Sequence, residues 1–189
     1  MVRITLLAPA VNAALRQVRF DDAPPDAAAV RRARAAAGAL PHHDVTFTAP
    51  SARCRGTARA LALDAAVAPG LRDLDVGRWR GRSLDEVGRE APGDVAAWLS
   101  DPAAAPHGGE SLLELIERTG AWLESGAEQD ARVLAVAEPA VIRAALVHAL
   151  YLPPRTFWRL DVAPLTATAL SGRSGRWNLR CGLPLTAPG

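Results

Sequence analysis

Short apolar runs alternate with alanine- and arginine-rich stretches along the chain, and this alternation predicts strands that alternate with helices. Runs that are continuously apolar or rich in β-branched residues predict strands at residues 3–7 (RITLL), 44–49 (DVTFTA) and 132–137 (RVLAVA). The stretches between and after them predict helices at residues 24–39, 50–63 and 140–150. This order is typical of an α/β domain, and we expect a three-layer α/β/α sandwich with a mostly parallel sheet.

Two helix starts and one strand pair can be placed more closely. Ser83 with Glu86, and Ser111 with Glu114, have the spacing of a capping box, in which the two side chains satisfy free N–H groups at the start of a helix. Residues 101–109 (DPAAAPHGG) cannot form a helix interior because of their prolines and paired glycines. A closing strand pair is predicted around a turn at residues 172–175, with strands at 165–170 and 176–181.

Length and composition exclude several classes of protein. The 189 residues suit one domain over 1–189, and the formal net charge of +2, carried by scattered arginines, argues against a nucleic-acid-binding face. No uncharged apolar run reaches about 18 residues, so we expect no contact with a membrane. Cys54 and Cys181 form neither a disulfide framework nor a metal motif, and we expect a reduced cytoplasmic chain without metal or cofactor. Lysine is absent, which indicates a GC-rich bacterial genome rather than a function.

Five segments resemble, in the right order, the motifs of the histidine phosphatase (phosphoglycerate mutase-like) superfamily. The segment APSARCRGTARAL at 49–61 is similar to the family's SPLxRAxxTA, and LRDLDVGRWRG at 71–81 is similar to LxExxxGxWEG. GGES at 108–111 is unchanged, AVAEPAVIRAALVHAL at 135–150 resembles VVSHGGVIRALLAHLL, and FWRLDVAPLTATAL at 157–170 has the family's ending. The resemblance covers nearly the whole chain and implies that the loops at 8–10 and 138–139 meet in a cleft at the ends of two neighbouring strands.

The resemblance also implies where the chemistry of the family would lie. In the family, a histidine of an RHG triplet attacks phosphorus, and a second histidine and arginines hold the phosphoryl oxygens. The triplet falls on residues 8–10, so that Ala8 stands for the arginine and Pro9 for the nucleophile, while the second histidine falls on Glu138. Proline has no nucleophilic side chain, so the resemblance implies a degenerate member that lacks both catalytic histidines.

Two further positions complete the implied site. The family's proton donor falls on Asp73, and Arg53 is retained among the phosphate ligands. One arginine would then face two carboxylates, which disfavours a phosphate dianion. Arg53 is either a remnant anion ligand or part of a salt bridge. Glu138 and Asp73 are either an acid/base pair or an inert pair that Arg53 neutralises, and we favour the inert pair.

The remaining candidate residues have a chemical and a structural interpretation each. His107, beside the GGES glycines, is a candidate ligand-binding or proton-transfer group, but a solvent-exposed loop position is favoured. Glu110 is a candidate ligand contact, or a charge placed before the N-terminus of a helix. Trp79, Trp98 and Trp158 are interpreted as packing residues, with ligand stacking by Trp98 as the alternative.

Three functions follow from this sequence. The first is a pseudophosphatase that keeps the fold for a binding or regulatory role. The second is a repurposed acid/base enzyme of a biosynthetic pathway, of isomerase, cyclase or lyase type, that uses Glu138 and Asp73. The third is a weak residual phosphatase that resembles α-ribazole phosphatase. A small-molecule ligand, a protein partner and a homodimer are each compatible with the sequence.

Overall fold

Strands and helices alternate along the chain in the computed structural model, which describes residues 1–127 and 131–181. The strands are β1 (Val2–Leu7), β2 (Val45–Thr48), β3 (Ala66–Val67), β4 (Arg132–Val136), β5 (Ala167–Arg173) and β6 (Arg176–Leu179). The α-helices are α1 (Ala13–Arg16), α2 (Ala27–Ala36), α3 (Ala52–Ala60), α4 (Leu84–Glu90), α5 (Pro92–Ser100), α6 (Leu112–Ala127) and α7 (Pro139–Ala149). The expectation of one domain over 1–189 also includes 128–130 and 182–189, which lie outside the described residues.

The six strands form one sheet in the order β3-β2-β4-β1-β5-β6. The pairs β3–β2, β2–β4 and β4–β1 are parallel, whereas β1–β5 and β5–β6 are antiparallel. Leu7 at the end of β1 is opposite Val136 at the end of β4. The predicted mostly parallel sheet is therefore confirmed, as is the prediction that these two strand ends lie side by side.

Helices cover both faces of the central strands. Every residue of β1 except Arg3, and every residue of β4 except Arg132, is buried, as expected for parallel strands covered on both sides. Helix α2 packs on α3, and α6 packs on α7. None of the helices in the described part of the chain is long and apolar enough to cross a membrane.

The structure confirms both capping boxes and corrects the description of the hairpin. The Glu86 N–H donates to the Ser83 hydroxyl at 3.1 Å and the Glu114 N–H donates to the Ser111 hydroxyl at 3.3 Å. The predicted turn at 172–175 is too long, because β5 continues through Gly172. A Cβ atom at Gly172 would lie 2.1 Å from the Arg176 carbonyl oxygen, so glycine here allows a close strand approach rather than a turn.

Two helices were not predicted by the hydrophobic pattern. Helix α1 has only four residues, and its N-cap Asn12 accepts a hydrogen bond from the Leu15 N–H at 2.8 Å. Helix α5 begins at Pro92, in the first-turn position that suits proline. Both helices border a cavity at the carboxyl ends of the parallel strands, and α5 contributes Trp98 to its lining.

Candidate functional site

A cavity of about 850 Å³ lies at the carboxyl ends of the parallel strands. The segments that follow β1, β2 and β4 line it, together with residues 72–76 and the end of α5. Its charged lining residues are Arg19, Asp21, Asp22, Arg53, Arg72, Asp73, Asp75, Arg80, Glu138 and Arg143. This position is where open α/β sheets bind ligands.

A buried ion pair between Arg53 and Glu138 forms one wall. Arg53 is the second residue of α3, and its guanidinium donates to both oxygens of Glu138, from Nε to Oε1 at 3.4 Å and from a terminal nitrogen to Oε2. The two side chains are only 8% and 6% exposed. Glu138 is the N-cap residue of α7, but its carboxylate does not cap that helix; it also accepts a hydrogen bond from the Ser51 hydroxyl at 2.8 Å. Arg53 therefore belongs to a salt bridge, as one of its two predicted interpretations required.

The carboxylate of Asp22 occupies the N-terminus of α3. Both carboxylate oxygens of Asp22 accept the Ala52 N–H at 2.9 Å, and the Ser51 hydroxyl accepts the Cys54 N–H at 3.1 Å. A helix N-terminus carries partial positive charge and attracts anions. The two features of α3 that favour an anion, its N-terminus and Arg53, are thus both occupied by side chains of the protein itself.

Asp73 faces the same cavity without an ion-pair partner among the described residues. Its carboxylate accepts the Leu74 N–H at 2.8 Å. Asp73 is exposed to the cavity. The protein packed around its carboxyl group, together with the negative charge of Glu138, raises its pKa to about 7. The expectation that Arg53 neutralises both carboxylates is wrong, because Arg53 forms its ion pair with Glu138 and none with Asp73.

The charges of the cavity are balanced, which corrects the expectation of one arginine against two carboxylates. Five arginines and five carboxylates line it, because distant segments of the chain bring four more arginines. Each of these four has a partner in the protein. The partners are Glu86 for Arg19 at 3.7 Å, Glu110 for Arg72 at 3.2 Å, Asp75 for Arg80 at 4.0 Å, and the Leu160 carbonyl for Arg143 at 2.7 Å.

Aromatic rings form another part of the lining. Trp98 packs edge-on against Trp158, with ring centroids 4.6 Å apart, and against Phe20 at 5.9 Å. Phe157 packs against Trp158 at 4.9 Å. Trp98 and Trp158 pack as predicted, and both also line the cavity, which places Trp98 where a ligand could stack on it. Large apolar side chains that are exposed extend this surface, namely Leu15, Val18 and Leu99.

His107 is buried, so the favoured prediction of a solvent-exposed position is wrong. Its ring is 1% exposed and packs on Trp79 at 5.0 Å. Burial lowers its pKa, and its Nδ1 accepts the Gly109 N–H at 3.0 Å, which assigns the proton of the neutral ring to Nε2. Two loops meet here so closely that a Cβ atom at Gly109 would lie 2.1 Å from the Asp75 carbonyl oxygen. This approach, which sequence could not reveal, buries the ring outside the cavity lining.

The remaining predicted ligand-binding residues lie outside the lining of the cavity. Glu110 is buried and accepts two hydrogen bonds from Arg118, at 2.8 and 2.7 Å, so its carboxylate is paired with a side chain of the protein. Ala8 and Pro9 are buried at the end of β1, and the Ala8 N–H donates to the Thr166 carbonyl at 3.0 Å. The structure therefore brings the predicted residues Arg53, Asp73 and Glu138 together at the cavity. Within residues 1–127 and 131–181, no group of three or more His, Cys, Asp or Glu residues could hold a metal ion.

Comparison with known proteins identifies the family of this chain. The pattern of the histidine phosphatase superfamily, branch 1, matches residues 9–181. The chain belongs to the histidine phosphatase superfamily. The family resemblance inferred from the sequence motifs is therefore confirmed, and with it the predicted fold class.

Several members with known activity or structure are similar to this chain. A glucosyl-3-phosphoglycerate phosphatase of Mycolicibacterium vanbaalenii is 40% identical over 70 residues, which is 31% of this chain and 31% of that protein's length. The structure of a mycobacterial glucosyl-3-phosphoglycerate phosphatase in complex with VO3 is 26% identical, with a TM-score of 0.82, over 94% of this chain and 96% of that one. A phosphoserine phosphatase of Entamoeba histolytica shares the fold, with a TM-score of 0.85 at 16% identity over 96% of both chains.

Proposed function

We propose that this member of the superfamily does not work through a phosphohistidine and uses its cavity to bind a small molecule. One observation carries the proposal: the Glu138 carboxylate, at the end of β4 where the resemblance implies the second histidine, is paired with Arg53. Pro9, at the position implied for the nucleophile, has no atom that could be phosphorylated. The protein is in this proposal a pseudophosphatase with a binding role.

Electrostatics supports the loss of phosphate binding. A phosphate at Arg53 would have to displace Glu138 or lie beside it, and two unit charges of the same sign at about 4 Å repel by about 4 kcal/mol at an effective dielectric constant of 20. A dianion would meet this repulsion about twice. Glu138 is also held by the Ser51 hydroxyl at 2.8 Å, so it does not move away freely.

Hydrolysis of p-nitrophenyl phosphate tests the proposal. We expect the purified protein to release nitrophenol at the background rate, with an active histidine phosphatase as the positive control. Pro9→His alone is expected to stay at background, because Glu138 still occupies Arg53. Metal-independent hydrolysis well above background by the unmodified protein would overturn the proposal and favour the residual-phosphatase hypothesis.

A second candidate function is favoured by Asp73. A carboxyl group with a pKa of about 7, open to a cavity and next to a fixed carboxylate, is suited to proton transfer at neutral pH. On this hypothesis Asp73 takes up and returns a proton, and Glu138, held by Arg53, keeps it protonated part of the time. A turnover found for any cavity ligand should then follow the protonation of Asp73 with pH. Unchanged turnover in Asp73→Asn would exclude this role.

A further inference from the structure

We propose that the cavity selects an organic cation, with its nitrogen at Asp73 and its aromatic or aliphatic body against the half-buried rings of Phe20 and Trp158, beside Trp98. The proposal rests on the binding function proposed above and specifies the chemical class of the ligand. It follows from which charged groups of the cavity already have ion-pair partners and which do not.

The two anion-binding features of α3, and Arg72, already have carboxylate partners in the protein. Arg53 has Glu138, Arg72 has Glu110, and the N-terminus of α3 has Asp22. Arg143 donates to the Leu160 carbonyl at 2.7 Å and lies 5.8 Å over the Phe157 ring. An anionic ligand at Arg53 or at the N-terminus of α3 would have to displace a carboxylate that is already bound there.

Among the carboxylates of the lining, Asp73 and Asp21 have no ion-pair partner in the described part of the chain, and Asp21 accepts only the Asp22 N–H at 2.9 Å. Asp73 differs from Asp21 because it lies close enough to Glu138 to be affected by the negative charge of that carboxylate. Glu138 has Arg53, Asp75 lies 4.0 Å from Arg80, and Asp22 accepts two hydrogen bonds from a helix N-terminus. Asp73 accepts the neighbouring Leu74 N–H and has no cation within ion-pair distance in the described part of the chain. A ligand cation is the group that it lacks.

The rest of the lining suits the body of such a ligand. The face of an indole attracts a cation, and the ring also shields apolar carbon from water. Trp98 and Trp158 supply two indoles, and the exposed Leu15 and Leu99 continue the apolar surface toward solvent. A volume of about 850 Å³ is within the range of cavities that enclose small organic ligands.

The proposal predicts that the affinity for an amine depends on pH, because binding is linked to the protonation of Asp73. A bound cation stabilises the ionised form of Asp73, so binding must expel the proton that this carboxyl carries at low pH. With a pKa of about 7 in the free protein, the affinity for an amine should rise as the pH is raised through 7 and then level off. A ligand bound by apolar contact alone would not show this rise.

Calorimetry with three probes of the same body and different head groups tests the proposal. The probes are 2-phenylethylamine, 2-phenylethanol and 3-phenylpropionate, titrated into the full chain and into Asp73→Asn. The exposed Asp64, which does not line the cavity, provides the matched control Asp64→Asn. We expect the amine to bind at least about tenfold more tightly than the alcohol, the carboxylate to bind most weakly, and the preference to disappear only in Asp73→Asn.

The results show which of the two proposals fails, the cationic class of the ligand or the binding function itself. A preference for the alcohol or the carboxylate, an amine preference that survives in Asp73→Asn, or no binding of any probe would overturn the cation proposal while leaving the hydrolysis result untouched. Robust hydrolysis of p-nitrophenyl phosphate would overturn the proposed function, whatever the probes do. Circular dichroism of each variant shows whether a lost preference reflects the missing carboxylate or an unfolded chain.

Discussion

The buried pair of Arg53 and Glu138 makes a quantitative prediction. Arg53→Met keeps most of the side-chain volume but removes the charge, and it leaves a carboxylate that is 6% exposed without its counter-ion. Removing one partner of a buried pair costs about 3–5 kcal/mol, because the remaining charge is no longer compensated. We therefore expect urea denaturation at neutral pH to show a loss of this size in the free energy of unfolding.

A second substitution identifies the cause of that loss. Adding Glu138→Gln to Arg53→Met should recover part of the loss at neutral pH, because no buried charge then remains.

Two results would refute this account of the pair. A loss below about 1 kcal/mol would mean that the pair behaves like an exposed salt bridge. A loss that Glu138→Gln does not reduce would mean that Arg53 acts through packing and not through its charge on Glu138. In either case the charge of Glu138 would not be what closes the anion site at Arg53.

Two further predictions concern Asp73 and Gly120. Because the pKa of Asp73 is raised to about 7, ionisation of this residue destabilises the folded state, and Asp73→Asn should be more stable than the unmodified protein above that pH. In urea denaturation the difference in the free energy of unfolding should disappear as the pH falls toward the unfolded pKa of about 3.9, and a difference that is constant with pH would contradict this. A Cβ atom at Gly120 would lie 2.3 Å from Nδ1 of His148, so Gly120→Ala should lower stability by about 1–3 kcal/mol in spite of its higher helix propensity. The control Gly88→Ala, in α4 with nothing within 4 Å, should gain up to about 1 kcal/mol, and equal effects of the two substitutions would refute the contact.

The sequence predicted the scaffold because the central strands depend on local composition. The run RVLAVA is apolar throughout, as a strand covered on both faces must be, and its pairing with β1 placed Glu138 at the cleft. The capping boxes at Ser83 and Ser111 were predictable for a similar reason, since four consecutive residues contain the whole interaction.

The site was less predictable because its lining comes from distant segments. Arg19, Arg72, Arg80 and Arg143 reach the cavity from separate parts of the chain, and none belongs to a motif whose spacing indicates a charge pair. The burial of His107 depends on the close contact of two loops at Gly109, which no periodic pattern records. Whether Arg53 pairs with Glu138 or with Asp73 likewise depends on the geometry of the fold and cannot be read from composition.

The tryptophans at and near the cavity also provide an intrinsic spectroscopic probe of ligand binding. Trp79, Trp98 and Trp158 are three of the five tryptophans, and they form a chain with ring centroids 5.4 and 4.6 Å apart. Indoles this close couple their electronic transitions and pass excitation from one to the next. A molecule that settles against Trp98 or Trp158 should therefore change the near-ultraviolet circular dichroism and the emission of the whole group, so that the arrival of a ligand can be followed without any label.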